Sequence, residues 1–175
     1  MSPVRCLLTL FSFVVLNAGF NARVAAAVPR PSQVKASLVA ADATAQPGQP
    51  LTVALRLVHN PRWHTYWVNP GTGLPTALAW KLPEGWTAGP IQWPAPHVIK
   101  DRTGEIVGNG FEGEIFLPVT LNPPAGLAAG STVTLHARAD WLMCEDVCIP
   151  GNAEVTLTLP VAANAAKPDA EWGEK

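Results

Sequence analysis

The residues best suited to chemistry are two cysteines. Cys144 and Cys148 stand four positions apart in the segment Trp141-Leu142-Met143-Cys144-Glu145-Asp146-Val147-Cys148-Ile149-Pro150-Gly151. A thiol pair this close can lock a structural disulfide, exchange its disulfide with another protein, or bind a soft metal ion. As a structural staple the pair is modest. Closing a loop of about five residues is worth roughly 2 kcal/mol by chain entropy, the low end for disulfides. A bridge between distant strands or between two sheets would stabilise more. For exchange the spacing is favourable, because the second thiol stays within reach of a mixed disulfide formed by the first and can resolve it. Spacing and context therefore favour a redox pair over a purely structural bridge, with metal binding third.

Glu145 and Asp146 lie between the cysteines. Their negative charge would disfavour the thiolates and so suit a reductant that hands electrons on. The plainer reading is two solvated loop residues. The metal reading needs an imidazole beside the soft thiolates, as copper would prefer. His59, His64, His97 and His136 are the candidates, and no two of them share a metal-like spacing. No serine-nucleophile motif, paired-carboxylate site or phosphate-binding glycine loop points to hydrolysis.

The elements that must position this pair are strands. Apolar residues alternate with polar or small ones in Leu51-Val53-Leu55-Leu57, Ile115-Leu117-Val119-Leu121, Val133-Leu135-Ala137 and Val155-Leu157-Leu159, the period of half-buried strands. Weaker alternation runs over Val34-Ala36-Leu38 and from Ala77 to Leu82. Turn clusters separate them: Gln46 to Pro50, Asn69 to Gly73, Pro83 to Gly85 and Asn122 to Gly126. The 18 prolines and 14 glycines punctuate the chain too often for long helices. Six or seven short strands imply an all-β fold, an immunoglobulin-like antiparallel sandwich, with a small barrel as the alternative. Both cysteines then fall at a strand end or in the loop beyond it, where reactive groups are displayed.

Bulk composition bounds the rest. With 48% apolar and 14% charged residues the chain can bury a core and is not disordered as a whole. A net charge of −1 offers no basic patch for nucleic acid. Residues 1–27 read as a cleaved export signal: Arg5, an apolar stretch from Cys6 to Phe20, then the small residues Ala25-Ala26-Ala27. Cleavage near Ala27 removes Cys6 and leaves Cys144 and Cys148 in an oxidising compartment, where they are expected to pair at least part of the time. The expected domain runs over 28–160, and 161–175, rich in alanine and charge, reads as a linker or flexible tail.

Four segments together resemble a known family. They are Trp141 to Gly151, Trp63-His64-Thr65-Tyr66-Trp67-Val68-Asn69-Pro70-Gly71, Gln92-Trp93-Pro94-Ala95-Pro96, and Gly110-Phe111-Glu112-Gly113-Glu114-Ile115-Phe116-Leu117-Pro118-Val119. The chain is similar over roughly 32–160 to the amino-terminal periplasmic domain of DsbD/ScsB-type thiol:disulfide interchange proteins. The resemblance implies an immunoglobulin-like periplasmic domain with a reversible Cys144–Cys148 disulfide and no cofactor beyond its own cysteines. It further implies a membrane-embedded thiol:disulfide transporter domain as electron donor. The implied recipients are periplasmic thioredoxin-like proteins, among them disulfide isomerases and cytochrome c maturation factors. The C-x3-C spacing resembles the ScsB-like branch, linked to copper tolerance. His64 and Tyr66 fall where the family carries a tyrosine pair near the active site. The stretch matching the family's aromatic cap loop, Asp101 to Val107, holds no aromatic residue. A copper-binding module, or a protein-binding sandwich with a structural disulfide, are the rival functions.

Overall fold

A computed structural model describes residues 32–175; the expected export signal, its cleavage point and Cys6 lie outside them. Ten strands follow one another: β1 Val34–Ala40, β2 Leu51–His59, β3 His64–Tyr66, β4 Ala77–Lys81, β5 Thr87–Ile91, β6 His97–Lys100, β7 Ile106–Glu112, β8 Glu114–Asn122, β9 Thr132–Cys144 and β10 Cys148–Pro160. One sheet has the order β1-β2-β8-β5, and the other β10-β9-β3-β7-β6 with β4 also paired to β9. Every pairing between strands is antiparallel. The two sheets form the expected immunoglobulin-like sandwich.

The period-two patterns explain the layers. In β2, Leu51, Val53, Leu55 and Leu57 are each 2% exposed or less. They stand in register with Leu121, Val119, Leu117 and Ile115 of β8, so two apolar stripes from one sheet face the core side by side. The opposite layer comes from β9, where Val133, Leu135, Ala137, Ala139, Trp141 and Met143 are buried at every second position. Each fully buried leucine contributes roughly 1.5–3 kcal/mol, which makes β2, β8 and β9 the framework on which the shorter strands depend.

β7 and β8 are one run of chain that changes sheet at Gly113. There φ is +66°, a conformation glycine adopts without a side-chain penalty. His59 secures the crossing. Its backbone N–H and its Nδ1–H both donate to the Gly113 carbonyl, at 2.8 and 2.7 Å. Its Nε2 then accepts from the Thr65 hydroxyl at 2.9 Å. A buried imidazole thus ties the end of β2 to the sheet change and to β3.

The structure departs from expectation in two ways. There are ten strands rather than six or seven, because β5 carries Gly89 and Pro90, β7 carries Gly108 and Gly110, and β3 is only three residues long. The segment 161–175 is also not a free tail. Val161 is 3% exposed, Ala43 N–H donates to the Lys167 carbonyl, and Asp169 N–H donates to the Ala41 carbonyl. The Trp172 ring lies 5.9 Å from that of Phe116, with the Arg56 guanidinium 4.9 Å from its centre. Backbone pairing and one tryptophan anchor outweigh an alanine-rich composition.

Candidate functional site

The long hairpin of β9 and β10 ends at the cysteines. Cys144 and Cys148 are its last register pair, joined by a disulfide with S–S 2.02 Å, and Glu145, Asp146 and Val147 form the loop between them. The two sulfur-bearing residues have unequal surroundings. β10 is the outer strand of its sheet, and Cys148 is exposed. Cys144 is flanked by β10 on one side and by β3 on the other, through the pair His64–Cys144, and is 2% exposed.

Higher up the hairpin, the Trp141 indole lies over Gly151, its register partner. A methyl group at Gly151 would collide with Trp141 Nε1. The Pro-Gly end of the cysteine motif is therefore the seat of a buried tryptophan that stiffens the strands carrying the cysteines.

β3 brings His64 and Tyr66 to the disulfide. Tyr66 Oη is 3.9 Å from Cys148 Sγ and 3.3 Å from His64 Nε2. The two rings meet edge to face, 5.2 Å between centres. Tyr66 is 4% exposed and its ring sits in a slot made by glycines. A Cβ on Gly73 would come within 2.5 Å of the ring, and one on Gly108 within 3.2 Å of it. The Asn69 to Gly73 turn cluster thus serves the site, with Thr72 hydrogen-bonded to the Val107 carbonyl. Burial pushes the Tyr66 phenol up, opposed by a hydrogen bond with Thr72. It also pushes the His64 imidazole down, opposed by the Glu112 carboxylate.

A cleft of about 700 Å³ opens beside the sulfurs, and its far wall is the loop from Lys100 to Thr103 between β6 and β7. Asp101 shapes this loop by accepting hydrogen bonds from the Thr103 hydroxyl and from the N–H groups of Thr103 and Glu105, an Asx turn. These bonds, the Thr103 hydroxyl first, hold the Asp101 carboxyl below its ordinary range. Arg102 then reaches across to Asp146 Oδ2 at 2.5 Å and to Glu145 Oε1 at 3.7 Å. Arg62 lies 2.7 Å from the same Glu145 oxygen. The carboxylates expected to surround the thiols with negative charge are therefore each met by a guanidinium. The stretch without aromatics still reaches the disulfide loop, through an ion pair.

All the expected site residues (Cys144, Cys148, His64, Tyr66, Glu145 and Asp146) line this one cleft. Arg62 and Arg102 were not foreseen. Arg62 has φ +72°, a left-handed conformation that costs a residue with a side chain about 1–2 kcal/mol; such strain concentrates at functional sites. Among the described residues no group of three or more His, Cys, Asp and Glu is arranged to hold a metal ion. His59 has both ring nitrogens engaged, and His97 and His136 sit exposed on β6 and β9.

No curated protein matches the chain. The crystal structure of the N-terminal periplasmic domain of ScsB from Proteus mirabilis is similar at TM-score 0.48 and 20% identity, covering 71% of this chain and 44% of that one. The chain therefore spans less than half the length of that structure. The family described as "Thiol:disulfide interchange protein DsbD, N-terminal" matches residues 31–160, a stretch that holds all ten strands and both cysteines. With a disulfide at the end of its longest hairpin and a family match over most of its length, the chain belongs to the family of N-terminal domains of DsbD thiol:disulfide interchange proteins.

Proposed function

We propose that the domain relays electrons in the periplasm by thiol–disulfide exchange, with Cys148 as the attacking residue and Cys144 as the resolving one. The observation that carries this reading is the inequality of the two sulfurs. Cys148 is exposed on an outer strand, and Cys144 is 2% exposed between two strands. A partner's sulfur reaches the first and not the second, whereas Cys144 needs to reach only Cys148.

In the forward direction the Cys148 thiolate attacks one sulfur of a partner disulfide, and the partner's other sulfur leaves as a thiolate. Cys144 then attacks Cys148 Sγ, closing the Cys144–Cys148 bond and releasing the partner's second sulfur. Two electrons pass from the domain to the partner, and no cofactor takes part. A membrane-embedded thiol:disulfide transporter domain restores the dithiol, and thioredoxin-like periplasmic proteins, such as disulfide isomerases and cytochrome c maturation factors, accept the electrons. The family match and the cleft beside the sulfurs support this reading.

Equilibration of the purified chain with glutathione buffers tests it. Exchange predicts a potential near roughly −200 to −250 mV, whereas a purely structural bridge lies below about −300 mV and resists the buffer. In a separate trapping experiment Cys144→Ser should accumulate a mixed disulfide with the disulfide form of a thioredoxin-like protein, and Cys148→Ser should not. Failure of both measurements would leave a protein-binding sandwich with a structural disulfide.

A further inference from the structure

We propose that Tyr66 and His64 form a proton path to the attacking sulfur, the Cys148 thiol giving its proton through the Tyr66 hydroxyl to His64 Nε2. The inference rests on the exchange reading above and assigns that site its acid–base machinery. Three polar atoms follow one another: Cys148 Sγ, Tyr66 Oη at 3.9 Å from it, and His64 Nε2 at 3.3 Å from that hydroxyl.

Both members are buried, His64 at 5% and Tyr66 at 4% exposure, so the hydroxyl and the imidazole meet on the protein side of the exposed Cys148 sulfur. The Tyr66 hydroxyl is positioned by close packing of its ring on Gly73 and Gly108, where an added Cβ would come within 2.5 and 3.2 Å of the ring. A hydroxyl both donates and accepts. With His64 neutral, Tyr66 donates to Nε2 and accepts from the thiol; after transfer it accepts from the imidazolium and donates to the thiolate. The same atoms serve both states without a rotation of the ring.

The charges around His64 suit a group that takes and returns a proton. Glu112 on β7 is its register partner and favours the imidazolium, while Arg62 in the turn before β3 and Arg102 in the loop after β6 line the same cleft. On the β9–β10 hairpin it faces the cysteines, with Glu145 and Asp146 lining the same cleft. Burial favours the neutral ring, so the imidazole is free to accept at neutral pH.

The step balances. Proton transfer makes a Cys148 thiolate and a His64 imidazolium with no change of oxidation state. The thiolate forms the mixed disulfide as the partner's disulfide breaks, and Cys144 displaces the partner's second sulfur. The proton stored on His64 and that of the Cys144 thiol end on the two partner sulfurs, so two electrons and two protons leave together.

The test follows the pH profile of iodoacetamide alkylation in the reduced chain. A Cys144→Ser background makes Cys148 the reporting thiol of the hairpin, with the label located by peptide mass. Near neutral pH, Tyr66→Phe and His64→Gln should each slow alkylation about tenfold, equivalent to a one-unit upward move of the profile. The double variant should be no slower than either single one, because both break one path. Profiles that superimpose on the parent, or losses that simply add, overturn the proposal. Unfolding would expose the thiol and speed the reaction. Should Tyr66→Phe do that, His64→Gln decides, since it leaves the ring and its glycine slot intact. A chain that exchanges with glutathione and traps its partner, yet shows unmoved profiles, loses this path and keeps its function; a chain that does neither loses the exchange reading itself.

Discussion

Arg102 Nη2 lies 2.5 Å from Asp146 Oδ2, so the loop between β6 and β7 is fastened to the loop that separates the two cysteines. The pair is half exposed on both sides, 65% and 52%, and contributes no more than about 1 kcal/mol to stability. Its effect should be felt in access. With Arg102→Ala, or in high salt, the loop loses its tie and the disulfide should be reduced several-fold faster by a small thiol such as dithiothreitol. The salt effect follows from screening over about 10 Å at moderate ionic strength and should disappear in the variant. Equal reduction rates in the parent and in Arg102→Ala would mean that the loop does not limit access.

Gly151→Ala should cost about 1–3 kcal/mol, the usual range for an overpacked site. The added methyl meets the Trp141 indole, which is 5% exposed and has no room to retreat. The near-ultraviolet circular dichroism of the tryptophans should change with the urea midpoint. Gly126→Ala is the control: nothing lies within 4 Å of its Cβ position and its φ is not positive, so it should leave stability within about 0.5 kcal/mol.

What the sequence could disclose depended on how local each feature is. The β2 and β8 stripes and the cysteine motif are contiguous in the chain, so a period-two pattern and a four-residue spacing display them directly. β5 and β7 are strands whose glycines and one proline break that pattern; β5 pairs along β8, and β7 is held between β3 and β6, which is a property of the sheet. The contact of Arg102 with Asp146 depends on two hairpins arriving at the same end of one sheet, and no spacing in the sequence encodes that. Tyr66 was legible only through its tryptophan-flanked motif. Its slot needs Gly73 and Gly108, which come from different parts of the chain.

Trp172→Ala tests why the segment 161–175 is docked. The ring meets Phe116 at a tilt of 53° and carries the Arg56 guanidinium on its face, contacts worth about 1 kcal/mol together at a half-exposed site. The variant should lose stability by about that amount and become sensitive to proteolysis between Val161 and Asp169. An unchanged digestion pattern would show that the backbone bonds of Ala43 and Asp169 hold the segment without the ring.

His59 should make the fold sensitive to mild acid. Burial is the main cause that lowers its pKa from the usual 6.5, and the nearby His64 adds to it; the Gly113 carbonyl and Glu112 act the other way. In the unfolded chain His59 takes up its proton near 6.5, and in the folded chain only at lower pH. The stabilisation is thus complete above about pH 6.5 and declines as pH falls towards the folded value, because the unfolded state then binds the extra proton. The slope is at most about 1.4 kcal/mol per pH unit for each such histidine. His64, shifted in the same direction, adds its own share over the same window. Urea midpoints at about pH 7.5 and about pH 5 should therefore differ more for the parent than for His59→Gln, whose amide can replace one of the two hydrogen bonds without charging. If the two proteins lose stability in parallel, the acid sensitivity belongs to His64 and the carboxylates, and the tie between Gly113 and Thr65 is not where the protons enter.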